Sequence, residues 1–273
     1  MIGTVDTKAM QLRDGFWSSG SGPEKILLMG SCRSIAYLNY LFRFNETVNR
    51  FTIRFIDPFN LHWDERDNIV DLEQNITACE KDSRILDILS DTDIFLHEWY
   101  AYFGIFSTDR NKPKTIYDFG MKPRLDICIP NFHDHFVLFQ EQIDVNAGGC
   151  VNQIKLRGIE AVAAEMRQYG FATLEKFYEI CRKSSFPEMA EHFRMNWPHV
   201  RYFWTSNHIS ANFSLYVFRQ MNDRFLNLPL TGEFWSEACR EDQFSTPCTR
   251  VTCFDQEAYG LTWNSPVEEL KLP

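Results

Sequence analysis

The residue best placed to do chemistry is Cys32, between a buried strand and a helix. The stretch from Lys25 to Leu38 opens on an apolar run, Ile26 to Met29, bounded by charge on one side and glycine on the other. Such a run predicts a buried strand, and the helical spacing of Ile35, Leu38, Leu41 and Phe42 predicts a helix beyond it. Gly30-Ser31-Cys32-Arg33 leaves room only for a tight turn between the two. A thiol there meets unpaired helix N–H groups, which favour the thiolate and lower its pKa. Arg33 pushes the same way. The plainer alternative is an inert buried cysteine, a common fate of free thiols.

A cysteine nucleophile needs a base, and histidine is the usual one. The chain has seven. His192 and His199 read as surface or packing residues, and His62 as part of a charged loop. His208 follows the last expected strand and precedes a core helix, where an imidazole can lean over a sheet edge toward Cys32. His97 ends a central strand and is the rival base or an oxyanion donor. His133-Asp134-His135, aided by His97 and Glu98, offers a second chemistry as metal ligands, although a bare His-x-His is a weak signal. Structural-zinc spacing is absent from the sequence, and no metal is expected.

The elements that must position these residues alternate. Strands are predicted near 26–30, 51–56, 93–97, 125–129 and 200–204, with helices over 71–89, 159–166, 174–181 and 213–221. Strand-helix alternation implies a largely parallel five-stranded sheet covered on both faces, with ligands at the carboxyl ends of its strands. That edge collects Cys32, Asn60, His97, Asn131 and His208. Residues 1–24 read as a flexible lead-in, 25–225 as one α/β domain and 226–273 as a tail wrapping it. The aromatic run over 97–106 suits packing beneath a loop better than a carbohydrate platform.

Net charge of -9 gives no electrostatic support for nucleic-acid binding. No apolar run reaches membrane-span length, and residues 1–24 lack the apolar core of a signal peptide. Eight cysteines without a CxxC pair fit free thiols in a reducing cytoplasm.

Gly30-Ser31-Cys32-Arg33-Ser34 resembles the first block of SGNH-type hydrolases, Gly-Asp-Ser-x-Ser, with cysteine in the nucleophile's place. It is closer still to cysteine variants of that fold, the WcbI-like polysaccharide biosynthesis proteins and the GSCFA proteins. Asn207-His208 is similar in position to the family's catalytic histidine. The resemblance implies a flavodoxin-like three-layer sandwich with strand order 2-1-3-4-5. It implies an acyltransferase or (thio)esterase using Cys32 and His208, with acyl-coenzyme A as donor and a sugar or other hydroxyl compound as acceptor. Gly30, Ser31, Arg33, Asn60, Asn131 and Asn207 would then serve the oxyanion and substrate, together with the Cys32 backbone N–H. Thr205 stands where the family carries its acid, so a third catalytic member is not assigned. The alternative within the same fold is a binding module that has lost the reaction.

Overall fold

The computed structural model describes residues 16–30, 32–56, 83–98, 122–130, 138–139, 142–143, 147–205, 208–240 and 250–263. Their contacts group into two compact units, Met1–Asn131 with Gln220–Trp235, and Phe132–Arg219 with Ser236–Pro273.

The first unit is built on a sheet. Its strands are β1 (Phe16–Ser19), β2 (Glu24–Met29), β3 (Phe51–Ile56), β4 (Ile94–Glu98) and β5 (Leu125–Ile129). They lie in the order β1-β3-β2-β4-β5. Ile26, Leu27, Leu28 and Met29 of β2 are fully buried. An unbroken apolar run of this kind is what a strand covered on both faces requires. Each such side chain adds about 1.5–3 kcal/mol through burial. In β3, by contrast, Phe51, Ile53 and Phe55 are buried while Thr52 and Arg54 are half-buried. The parallel register pairs Ile26 with Ile53 and with Ile94, and Met29 with Ile56 and with His97. β5 continues it, pairing His97 with Cys128 and Glu98 with Ile129.

A short 3₁₀ turn, Cys32–Ser34, leads from β2 into helix α1 (Ile35–Val48). Tyr37, Leu38, Leu41 and Phe44 bury one side of α1. The helix ends at Asn49 in the left-handed region, φ 45°, a conformation asparagine tolerates. The side chain of Asn45 then clamps the return into β3. Its Nδ2 donates to the Phe51 carbonyl at 2.8 Å and its Oδ1 accepts from the Phe51 N–H at 2.7 Å. Helix α2 (Ser83–Ser90) precedes β4.

The second unit holds α3 (Ala147–Arg157), the 25-residue α4 (Ile159–Lys183), α5 (Met189–Asn196), the short strands β6 (Phe203–Thr205) and β7 (His208–Ile209), and α8 (Cys253–Tyr259). The helix α6 (Ala211–Met221) and, after a π-helical turn, α7 (Gly232–Cys239) each carry a boundary between the units. Phe177, Phe193, Phe203 and Phe213 pack at ring-centroid distances of 5.0–6.0 Å. The Trp263 indole donates to the Trp197 carbonyl at 2.6 Å. Thr252 caps α8 reciprocally with Asp255, whose other oxygen accepts from the Phe139 N–H at 2.7 Å.

The α/β class and the five-stranded, mostly parallel sheet match the sequence reading, and one strand does not. The expected fifth strand is Phe203–Thr205, and it pairs antiparallel with β7 in a ladder of its own. A three-residue run of this kind pairs with whatever strand lies beside it, where periodicity alone sees only an extended segment. The fifth place in the sheet goes to β1, antiparallel to β3, from the segment read as a flexible lead-in. The helical stretches at 159–166 and 174–181 are one helix, α4. No helix of the described residues is long and apolar enough to cross a membrane.

Candidate functional site at the end of strand β2

Among the parallel strands the chain starts in β2, steps to β3 on one side, and later resumes at β4 on the other. The connections therefore diverge at the carboxyl end of β2, the kind of position where open α/β sheets bind ligands. Gly30 and the Cys32–Ser34 turn stand there.

The turn is tied down by a buried polar cluster. Glu98, at the end of β4, is 0 % exposed, Ser34 0 % and Arg33 2 %. The Ser34 hydroxyl donates to Glu98 Oε1 at 2.7 Å, and Arg33 Nη2 lies 3.8 Å from Oε2. Ser34 holds the N-cap position of α1, yet its side chain makes no capping bond and points its hydroxyl at the carboxylate instead. Gly30 is needed for the closeness of this packing. A Cβ there would fall 2.1 Å from Ser34 Oγ and 2.9 Å from the Glu98 carboxyl carbon. Arg33, read from the sequence as a pure thiolate stabiliser and substrate ligand, thus shares its charge with a buried carboxylate. The Tyr37 phenol beside the cluster is held well above its usual pKa by burial first, then by Tyr40 and Glu98.

Successive strand residues face opposite sides, so His97 lies across the sheet from Glu98 and Ser34. Its ring stacks on Phe95 at 4.8 Å, and Nε2 is 3.1 Å from Asp126 Oδ1. Nδ1 is 3.4 Å from the Glu98 carbonyl. Both nitrogens are engaged in a ring only 6 % exposed. In the second unit, His208 opens β7 and is half-buried, with Nδ1 3.0 Å from Thr205 Oγ1. Thr205, at the position of the expected acid, therefore touches the imidazole without bringing a charge.

Ser31, Asn60, Asn131 and Asn207 lie outside the described residues, as do His62, His133, Asp134, His135 and the aromatic residues 99–106. Among the described residues no group of three or more His, Cys, Asp or Glu side chains is arranged to hold a metal. Of the other cysteines, Cys239 and Cys253 are exposed, while burial pushes the Cys128 and Cys181 thiols far up.

Sequence reasoning did not find Asn39. This asparagine of α1 is 9 % exposed, and neither its amide nitrogen nor its oxygen has a hydrogen-bond partner among the described residues. It lies seven residues after Cys32, on a stripe with half-buried Ile35 and Arg43. The one available signal was a polar residue between Leu38 and Tyr40 in an apolar helix. Asp126, the partner of His97, was marked only by an acidic residue inside a short strand.

No protein-family profile and no curated protein matches this chain. A solved structure of WcbI does, with a TM-score of 0.51 and 12% sequence identity, covering 91% of this chain and 82% of that one. WcbI is described there as a novel polysaccharide biosynthesis enzyme, in its native form without a disulfide bond between coenzyme A and a cysteine. At this identity the likeness concerns the fold.

Proposed function

We propose that the protein is a cysteine-dependent acyltransferase or thioesterase on a flavodoxin-like, SGNH-type three-layer scaffold. In this reading it takes an acyl group from a thioester such as acyl-coenzyme A and passes it to a sugar or other hydroxyl acceptor. The observation that carries the proposal is the place of Cys32, at the start of the turn after β2 where the parallel connections diverge. The WcbI likeness supports it at the level of fold.

In the mechanism that the family resemblance implies, His208 takes the proton of Cys32, and the thiolate attacks the thioester carbonyl. The oxyanion is held partly by the Cys32 backbone N–H. The bond to the departing thiol breaks, and that thiolate takes the proton back from His208. An acyl-cysteine remains. The acceptor hydroxyl then gives its proton to His208 and attacks, returning Cys32 as the thiolate. In the tautomer whose Nδ1–H donates to Thr205 Oγ1, 3.0 Å away, Nε2 carries the lone pair for these transfers. His97, with both nitrogens engaged, is the weaker candidate.

The residues present fit a coenzyme A arm in one respect. The carboxamide of Asn39, without a partner among the described residues, lies on the order of 10 Å along α1 from Cys32, at 1.5 Å per residue. A pantetheine arm, with its thiol end at Cys32, carries amides within that reach. A buried amide left unpaired costs about 1–3 kcal/mol, which such a ligand would relieve.

Two measurements test the reading. Limiting iodoacetamide at neutral pH, followed by peptide mass spectrometry, should modify Cys32 ahead of exposed Cys239 and Cys253. Incubation with acetyl-coenzyme A should then add an acetyl group to Cys32 in the wild type and none in Cys32→Ala, with slower turnover in His208→Ala. Preferential labelling of Cys239 and no acetyl-enzyme would overturn it. Coenzyme A binding without acetylation would favour the binding-module alternative.

A further inference from the structure

We propose that Glu98 tunes the Cys32 thiol, offsetting Arg33 so that the cysteine stays a strong nucleophile toward thioesters; this rests on the function proposed above. The argument begins with position. Met29 pairs with His97, so the next residues, Gly30 and Glu98, stand side by side at the carboxyl ends of β2 and β4. Glu98 thereby touches both sides of the turn that carries Cys32. Gly30 packs against it before the cysteine, and Arg33 and Ser34 hold it after.

A carboxylate with no exposed surface is expensive unless paired, and an apolar side chain would serve packing more cheaply. The position makes chemical sense through Arg33. An arginine adjoining a thiol at a helix start pulls the thiol pKa down. Nucleophilicity falls with pKa, and in exchange between thiols the lower-pKa thiol is the better leaving group. A strongly acidic Cys32 would attack an acyl thioester slowly, and the acyl-cysteine would revert readily. Glu98, 3.8 Å from the Arg33 guanidinium, counters that pull.

Other titratable groups of the described elements stand around this pair, Arg43 of α1 among them. Tyr37 and Tyr40 on α1 are phenols, and Tyr37 is held neutral by burial. β2 contributes none near its carboxyl end. His97 of β4 and Asp126 of β5 pair with each other on the opposite face of the sheet.

Glu98→Gln keeps the size and the acceptor for Ser34 and removes the charge. Ser34→Ala keeps the charge and removes the donor that dampens it. The rate of Cys32 alkylation by iodoacetamide, followed against pH on the full chain by peptide mass spectrometry, reads the thiol directly. The midpoint should fall by about one pH unit in Glu98→Gln, a tenfold change in thiolate at a given pH. It should rise in Ser34→Ala. Opposite shifts in two folded variants, checked by circular dichroism, do not arise from loosened packing. In Glu98→Gln, acetyl transfer to Cys32 should fall about threefold at a pH above both midpoints, where the thiolate is fully formed in either protein and only its nucleophilicity differs. An unchanged midpoint in either folded variant, or shifts in one direction in both, overturns the proposal. Alkylation needs no acyl donor, so failure of coenzyme A binding leaves this test intact. A wild-type Cys32 that resists alkylation at every pH overturns both readings.

Discussion

Gly30 shows how little room the candidate site leaves at the level of single atoms. Adding one methyl group there would place a carbon against Ser34 Oγ and the Glu98 carboxyl. The serine could swing away only by giving up its bond to a fully buried carboxylate. Gly30→Ala should therefore destabilise the protein by about 1–3 kcal/mol, the usual cost of overpacking, measured by urea unfolding. Cys32 should also be alkylated at a different rate, because its turn has moved. Loss of stability without any change at Cys32 would mean that the turn and the cluster are independent. His192 is a second residue with a measurable signature. It stacks on Tyr216 at 3.7 Å, and its Nε2 lies 3.0 Å from the Tyr202 hydroxyl. Burial lowers its pKa below the ordinary imidazole value. Burial also raises Tyr202, to about 12, and Tyr216, where Glu188 adds to the shift, so the phenols around it stay neutral near pH 6. A depressed folded pKa contributes stability above the unfolded value, about 6.5, which is lost as pH falls through the folded value. Melting temperatures of the wild type and His192→Phe should converge as pH drops from about 7.5 to 5. Parallel curves would place the acid sensitivity elsewhere.

At the scale of elements, the chain uses side-chain amides to stop and redirect its helices. Asn45 sits at the end of α1 and satisfies both backbone groups of Phe51, the first residue of β3. Those groups are buried, so truncating the amide strands a donor and an acceptor together. Asn45→Ala should cost about 2–4 kcal/mol by urea unfolding, above the level of one lost hydrogen bond. Asn45→Asp should recover part of it, because an oxygen can still accept from the Phe51 N–H. An effect below about 0.5 kcal/mol would show that water takes over both bonds. The same elements explain why one strand was misplaced from sequence. A three-residue strand such as β6 carries too little pattern to name its partner, and its ladder with β7 is set by pairing that spacing does not show.

For the molecule as a whole, the sharpest expectation concerns ligand linkage. A compound that binds only the folded protein raises its stability by about 2.7 kcal/mol at a hundred times its dissociation constant. Coenzyme A should thus raise the melting temperature, and free pantetheine should do so less strongly. Asn39→Leu fills the same volume without the unmet amide, so it should keep or raise the intrinsic stability while reducing the coenzyme A shift. A full shift in Asn39→Leu would remove that residue from the ligand path. No shift with coenzyme A or acyl thioesters at any concentration would count against the thioester reading itself.

What the sequence alone determined follows from strong local patterns. The short apolar run Ile26 to Met29, bounded by charge and glycine, predicts a buried strand. The helical spacing after Ser34 forces a tight turn at Cys32, and alternation along β3 marks its two faces. Strand-helix order was enough for the α/β class, whereas the place of β2 between β3 and β4 was expected only from the order that the family resemblance implies. Tertiary structure decided what depends on distant neighbours. Sequence marks Glu98 and His97 as polar residues ending a strand, but only the register against β2 and β5 sends one to Ser34 and Arg33 and the other to Asp126. The same holds for β1, whose four residues have no strong pattern and become a strand because the edge of β3 is there to pair with. Local periodicity is set by burial of a face, whereas pairing and charge partnership are set by contacts between residues far apart in the chain, which one-dimensional spacing does not encode.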